Sequence, residues 1–411
     1  ADFLPPVKRV LGKLLKKIPT GVVNPIPGIT VARFSHILKG MPADRVAEPV
    51  SPEDPMLMQY TGGTTGPPKG AVLTHRNIVS HSTQVNVWMD LKKGNDGAML
   101  SAFPLFHQAG LFLGITTMAL GMTQVAIPNP RDLDFIISSL KKYRPSAMVN
   151  VPTIYIELLK RPDFRSLDFS CLEWCLSGAA PFPPEYINEF EDVIGKGKLI
   201  EVLGMTETSP VLTSLPRYGK KKVGSVGIPY PDTELKLVDP ETGKTVPLGE
   251  AGEFVARGPQ VFTLGYHNKP EETANTLRDG WIYTGDICEM DEDGYFYIVD
   301  RLKDMVNVSG FKVFTRQLDD ELMEHPDIDM AATVGLPNPE RPGSEIVATA
   351  IVLKPGVEKS DATKEIILEY LKKKVAPYKI PKRIDLMDEL PTSAVGKVLK
   401  RELRRMMGQH F

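Results

Sequence analysis

The stretch Tyr60-Thr61-Gly62-Gly63-Thr64-Thr65-Gly66-Pro67-Pro68-Lys69-Gly70 follows the apolar run Met56–Met58 and precedes another, Ala71–Leu73. Glycines let backbone N–H groups turn toward an anion with no Cβ in the way. Thr61, Thr64 and Thr65 add hydroxyl donors, and Lys69 adds a positive charge. The alternative is a plain Gly/Thr turn between hairpin strands. Such a turn needs only a glycine or two, whereas this one holds four, with three threonines and a lysine. The chemistry is that of a phosphate cradle. It is not the Walker pattern, because Pro68 precedes Lys69 and Gly70 follows it where Ser or Thr would stand.

Around this loop the chain alternates short apolar strands with helical patterns from Met56 to about Asp300. Ala147–Val151 precedes a helix at Pro152–Lys160, and Leu172–Leu176 precedes Pro184–Val193. Such alternation predicts α/β layers with much parallel sheet. From about Pro229 the texture changes to strands and tight turns (Glu234–Val238, the turn Asp239–Gly243, then Gly252–Arg257), which predicts an antiparallel subdomain over about 229–300. Beyond Arg301 a third texture predicts a compact α+β unit: helix Thr315–His325, strands Met330–Val334 and Ile346–Leu353, helix Thr363–Lys374 and strand Lys382–Leu386. The hinge is expected at Asp300–Asp304. Three segments follow: 1–55, 56–300 and 301–411. The fold class is α/β, a large multi-subdomain core with a mobile C-terminal α+β domain.

At 411 residues the chain exceeds one ordinary core, and 42% hydrophobic with 24% charged residues is a soluble globular composition. Lys and Arg number 49 against 51 Asp and Glu, so no basic field points to nucleic acid. Cys171, Cys175 and Cys288 cannot frame a disulfide-built fold, which fits a reducing cytoplasm. Cys171 and Cys175 lack a second metal-ligating pair, so a buried strand is the reading for them. No apolar run reaches the roughly 18 residues of a membrane span. Residues 5–18 read as a basic amphipathic helix with Val7, Val10, Leu11, Leu14, Leu15 and Ile18 on one face. Two readings stand for it: a surface resting on anionic lipid at the inner membrane face, or a surface helix packed on its own domain. Residues 19–55, rich in Pro and Gly, read as a connection.

The loop resembles the nucleotide-phosphate loop of the adenylate-forming superfamily, which contains acyl-CoA synthetases, peptide-synthetase adenylation domains and firefly luciferase. That family usually reads YTSGTTGxPKG, so Gly62 stands where it has serine. Five further segments match in the family's order. Phe103–His107 resembles the motif whose histidine, here His107, borders the acyl pocket. Ser177-Gly178-Ala179-Ala180-Pro181 resembles the adenine-side turn. Leu203-Gly204-Met205-Thr206-Glu207 resembles YGxTE, whose threonine meets phosphate and whose glutamate holds Mg²⁺; Leu203 stands where an aromatic normally packs on adenine. Tyr283–Asp286 resembles the motif whose aspartate binds ribose, followed by Arg301 as second ribose or phosphate contact and Lys303 as hinge. Gly396-Lys397 carries the family's adenylation lysine.

Within the superfamily the chain is most similar to bacterial long-chain fatty-acyl-CoA synthetases, through segments 73–77, 129–133, 167–170, 258–261 and 298–313. The resemblance implies ATP, Mg²⁺ and CoA, with a fatty acid as co-substrate. A carboxylate would attack the α-phosphorus of ATP and release pyrophosphate, and CoA would then displace AMP. Mutual repulsion of the two anions requires a cation between them, the role implied for Lys397. Gly62, Gly63, Thr64, Thr65 and Gly66, with Thr61 and Lys69, would hold the phosphates. Rotation about Lys303 would withdraw Lys397 and present the face around Ser309, Gly310, Phe311 and Lys312 to CoA. An apolar tunnel is expected near His107, Gly110, Leu111, Gly178 and Met205, and a homodimer is a further expectation. Because the loop falls so early in the chain, the resemblance also implies that 1–55 is the remnant of a longer N-terminal subdomain. An aryl or medium-chain acid as substrate, a luciferase-like oxygenase and a weakly active nucleotide- or acyl-binding fragment are the alternatives.

Overall fold

The computed structural model describes residues 5–15, 18, 27–28, 32, 34–39, 41, 48–61, 68–91, 94, 97–180, 182–393 and 398–408. The chain divides into two compact units, Ala1–Ser51 and Pro52–Phe411. In the first, helix Pro6–Leu14 forms within the expected 5–18 span, with Pro6 at its first position, where a missing N–H costs nothing. Its Val7, Val10, Leu11 and Leu14 are all exposed.

In the second unit, β1 (Pro55–Thr61) and β2 (Lys69–Thr74) pair antiparallel with Tyr60 opposite Gly70 and Thr61 opposite Lys69. The glycine-rich loop therefore does join hairpin strands. Ala71 and Leu73 of β2 are fully buried, whereas Met56, Met58 and Tyr60 alternate outward on β1. Strand β2 runs straight into helix His75–Trp88. Thr74 caps that helix through Oγ1, which accepts from Asn77 N at 3.2 Å, while Asn77 Oδ1 accepts from Thr74 N at 3.0 Å.

A seven-stranded sheet follows, built from β3 (Ala98–Ser101), β4 (Thr123–Ala126), β5 (Ala147–Asn150), β6 (Trp174–Ser177), β7 (Leu199–Leu203), β8 (Thr213–Ser214) and β9 (Ile228–Pro229) in the order β4-β3-β5-β6-β7-β8-β9. Strands β3 to β7 are parallel, and β8 and β9 return antiparallel. Strands covered on both faces read as continuous apolar runs rather than alternating ones, as in Ala147–Asn150, where every residue is buried. Cys175 sits in this buried strand, but Cys171 is exposed in the turn before it. The expected shared strand is corrected there: the strand begins only at Trp174, and Arg144 Nη2 binds Asp168, Ser170 and Cys171 to close the preceding turn.

The third layer is antiparallel: β10 (Glu234–Val238), β11 (Gly252–Arg257), β12 (Leu277–Arg278), β13 (Trp281–Met290) and β14 (Phe296–Arg301). Then come the small hairpin β15 (Val306–Val308) and β16 (Phe311–Val313), and the sheet β17 (Ile328–Pro337), β18 (Glu345–Leu353) and β19 (Arg383–Met387). Helices Thr315–Met323, Asp361–Lys374 and Lys400–Gly408 cover that sheet. The two apolar clusters of this region draw only on residues from Val306 onward, and the three clusters before it only on residues up to Ile298. No helix among the described residues is long and apolar enough to cross a membrane.

Candidate active site

Strand β2 is held on its second side by a loop further along the chain, since Val72 N donates to Gly265 O at 3.0 Å and His267 N to Gly70 O at 2.8 Å. This pairing sets Tyr266 beside Lys69, whose Nζ lies 4.7 Å from the ring centroid. The Tyr266 hydroxyl donates to Glu207 Oε1. Glu207 lies in the turn Thr206–Thr208 that follows β7 and is 4% exposed. Burial pushes its carboxyl up, while the Tyr266 hydrogen bond and the charges of Lys69 and Arg301 act the other way. A close crossing forces Gly204 in this turn: a Cβ there would meet Pro210 O at 2.0 Å.

Beside this cluster lies a cavity of about 500 Å³. Ala179, Ala180, Leu203 and Gly204 supply a wall of small and apolar groups at the carboxyl ends of β6 and β7, the end of a parallel sheet where ligands bind. Asp286, Arg301 and Lys303 line it as well. Asp286 and Arg301 are register partners on β13 and β14, and Arg301 Nε meets Asp286 Oδ1 at 3.0 Å. Thr284 Oγ1 fixes the Asp286 backbone, accepting from Asp286 N at 3.1 Å while donating to Phe254 O at 2.7 Å. The arrangement offers a wall of small side chains beside a buried carboxylate paired with a guanidinium. Such a pair can take the hydroxyls of a sugar.

The far wall comes from residues after Asp304 and carries Arg316, Lys400, Arg401 and Arg404. Lys400 Nζ donates to Thr315 Oγ1 at 2.8 Å and to Asp319 Oδ2 at 2.9 Å. Arg316 Nε and Nη1 are buried without a hydrogen-bond partner. Glu201 of β7 lines the same cavity, and burial pushes its carboxyl up to about 8 against the opposing charge of Arg316.

The structure thus gathers Ala179, Ala180, Leu203, Gly204, Asp286, Arg301 and Lys303 in one cavity, and Lys69, Glu207 and the end of β1 at Thr61 beside it. Thr206 opens the turn that carries Glu207, next to Met205. Gly178 is held against Val202, whose Cγ2 a Cβ would approach to 2.7 Å. Leu203, at 8% exposure, belongs to the apolar core with Ala71 and Phe254 as well as to the cavity wall. His107 is not among the cavity's lining residues; its Nδ1 accepts from Ala109 N at 3.2 Å and caps helix Gln108–Leu120. A Cβ at Gly110 in that helix would meet Pro104 O at 2.2 Å. Lys312 pairs with Glu241 of the β10–β11 turn at 3.2 Å, and Gly310, with φ +93°, makes the β15–β16 turn. Gly62, Gly63, Thr64, Thr65, Gly66 and Lys397 lie outside the described residues. Tyr266, Glu201, Arg316 and Lys400 are the functional candidates that sequence reasoning missed. Glu201 alone left a signal, as a charge inside the apolar strand Leu199–Leu203.

A model of the AMP-binding enzyme family matches residues 14–267, and one of the AMP-binding enzyme C-terminal domain matches residues 317–397. The chain is 38% identical over 406 residues to a long-chain-fatty-acid–CoA ligase of Bacillus subtilis (strain 168), covering 98% of this chain and 71% of the relative. It is also 38% identical over 363 residues to a feruloyl-CoA synthase of Amycolatopsis sp, covering 88% of this chain and 71% of the relative. Among solved structures it is similar to an anthranilate CoA ligase in complex with anthranoyl-AMP, with TM-score 0.83 and 29% identity, covering 92% of this chain and 72% of that one. Against the first curated relatives, the chain spans 62% to 71% of their length.

Proposed function

This chain belongs to the AMP-binding enzyme family, and on that premise we propose that it joins a long-chain fatty acid to CoA at the expense of ATP. The observation that carries the reading is the single cavity in which Asp286 and Arg301 face the Ala179-Ala180 wall, with Glu207 and Lys69 next to it. In that cavity the adenine would lie against that wall, the ribose hydroxyls on Asp286, and the phosphates toward Lys69 and the glycine-rich loop.

The chemistry balances in two steps. A carboxylate oxygen of the acid bonds to the α-phosphorus as the bond to pyrophosphate breaks. The CoA sulfur then bonds to the acyl carbon, its proton is lost to solvent, and AMP departs with the electron pair of the acyl–oxygen bond. The carboxylate is already ionised, so the first step needs positive charge rather than a base; Lys397 supplies it in this reading. Among the described residues no cluster of three or more His, Cys, Asp or Glu side chains could cage a metal. One carboxylate plus substrate phosphates is the usual way Mg²⁺ is held, so Glu207 fits that ion, which would neutralise phosphate charge. Lys312, released from Glu241, would face CoA after rotation about Lys303, and the acyl chain would enter past His107 and Gly110. Helix Pro6–Leu14, with its exposed apolar face and its Lys8 and Lys13, suits a surface of anionic lipid.

A second reading, ligation of an aryl acid, is favoured by the equal identity to the feruloyl-CoA synthase. Product analysis with ATP, CoA and a series from octanoate to palmitate, with cinnamate and benzoate alongside, separates the two. Palmitoyl-CoA with AMP as the preferred products supports the fatty-acid reading. Preference for an aromatic acid replaces it with the second.

A further inference from the structure

We propose that Lys400 is a positioning residue that ties the segment carrying Lys397 to the hinge, so that the orientation of the C-terminal part and the delivery of the adenylating charge are set together. The inference rests on the function proposed above and adds a residue outside its motifs.

Lys400 opens helix Lys400–Gly408 and reaches two neighbours, Thr315 Oγ1 at 2.8 Å and Asp319 Oδ2 at 2.9 Å. Thr315 is the first residue of helix Thr315–Met323. Its Oγ1 lies 3.0 Å from Asp300 Oδ2, and its backbone N–H donates to the same carboxylate. The direction of this chain is fixed by chemistry. An ammonium only donates and an ionised carboxylate only accepts, so the Thr315 hydroxyl accepts from Lys400 and passes its own hydrogen to Asp300. Asp300 belongs to β14, paired opposite Ile287 of β13. One hydrogen-bonded chain therefore joins the last strand before the hinge, the first long helix after it and the C-terminal helix.

The cluster is shielded from water. Thr315 is 0%, Asp300 4% and Asp319 8% exposed. Burial disfavours the Lys400 charge, but Asp319 and Asp300 outweigh it and hold the ammonium charged. Asp319, facing it, is pushed up to about 6 by burial, with Lys400 acting against that. A surface lysine of a terminal helix has no need of such surroundings. The same helix contacts the hinge a second time, where Arg404 Nη2 stands 3.8 Å from Asp304 Oδ1.

The link reaches the reacting segment through described residues. Thr392 bridges to Val398, and Leu399 N donates to Pro391 O at 2.8 Å, so residues 391–392 are held to residues 398–399. Lys400 follows at once, and Val398 and Lys400 both line the cavity that holds Asp286 and Arg301. Lys400 follows Lys397 by three positions in the sequence, and misplacement of a reacting group by about 1 Å is enough to cost on the order of a hundredfold in rate.

The test compares the two half-reactions in full-length protein carrying Lys400→Met, Lys400→Arg or Thr315→Val. For Lys400→Met the expected result is a loss of roughly tenfold to a hundredfold in ATP–pyrophosphate exchange kcat, with thioester formation from supplied acyl-adenylate and CoA within about twofold of the parent. Lys400→Arg, still a donor to both partners, retains most exchange. Thr315→Val removes the hydroxyl that bridges Lys400 to Asp300 while leaving the Lys400–Asp319 pair, and gives a smaller selective loss, which decides the matter if Lys400→Met does not fold. Equal losses in both half-reactions, or exchange unchanged in Lys400→Met or in a folded Thr315→Val, would overturn the role. A parent with no exchange on any acid rejects the function above and this role with it, which is distinct from an active parent with unaffected variants.

Discussion

The two walls of the cavity are built from different materials. The wall from residues up to Lys303 presents Ala179, Ala180 and Gly204 with the carboxylates Glu157, Glu201 and Asp286, and with Lys160, Lys303 and the Asp286-paired Arg301 as its cations. The wall from residues after Asp304 brings Arg316, Lys400, Arg401 and Arg404, with Asp319 tied to Lys400 and Asp320 set 3.6 Å from Arg316. The small residues of the first leave room for an uncharged group, with Asp286 beside it to take hydroxyls. The second brings positive charge to whatever the first has bound. In the function proposed above, charge on a separate wall could be delivered for the first step and withdrawn for the second, which a single rigid pocket cannot do.

Mutations that strip one wall and spare the other test this division. The largest expected effect is Lys397→Ala, which should lower ATP–pyrophosphate exchange by roughly 10²–10³-fold while sparing thioester formation from supplied adenylate; loss of both activities together would erase the division of labour. Next, Asp286→Ala should weaken the receiving wall, raising the KM for ATP on the order of tenfold or more with the KM for the acid unchanged. A rise confined to the acid would misplace the nucleotide.

Stability supplies smaller effects. Glu201 has a folded-state value of about 8 against an ordinary 4.5, so the folded protein holds a proton that the unfolded chain gives up. Stability should therefore fall as pH rises between those values. Glu201→Gln removes that slope, gaining on the order of 3 kcal/mol relative to the parent near pH 8, as denaturant titrations at several pH values would show. A parallel pH dependence in parent and variant would mean that Glu201 is already ionised. Smallest is Lys312→Ala, which breaks a pair exposed at 48% and 76% and should shift stability by about 0.2–1 kcal/mol; a loss beyond that would make this contact a real clasp between the two sides.

The first wall was far more legible in the sequence than the second. Tyr60–Gly70 announces anion binding by its composition, and Ser177–Pro181, Leu203–Glu207 and Tyr283–Asp286 are continuous runs that carry the family resemblance. The β10–β11 turn and the buried run Ala147–Asn150 could be read for the same reason, since each is a local pattern. Tyr266 could not, because its role depends on Gly265 and His267 pairing with β2 almost 200 residues earlier in the chain. Lys400 was hidden similarly. Nothing in Val398-Leu399-Lys400-Arg401 separates a half-buried lysine from the exposed Arg401 that follows, and only the approach of Thr315 and Asp319 does so. Cys171 misled for the opposite reason, as its spacing from Cys175 suggested one strand that starts three residues later than Cys171 itself.

The central claim is that this cavity joins an acid to the α-phosphate of ATP, and ATP–pyrophosphate exchange with palmitate in the absence of CoA measures that step alone. Exchange should depend on the fatty acid and disappear when it is left out. Exchange that fails with palmitate and with every other acid tried, in a protein that still binds ATP, would contradict it.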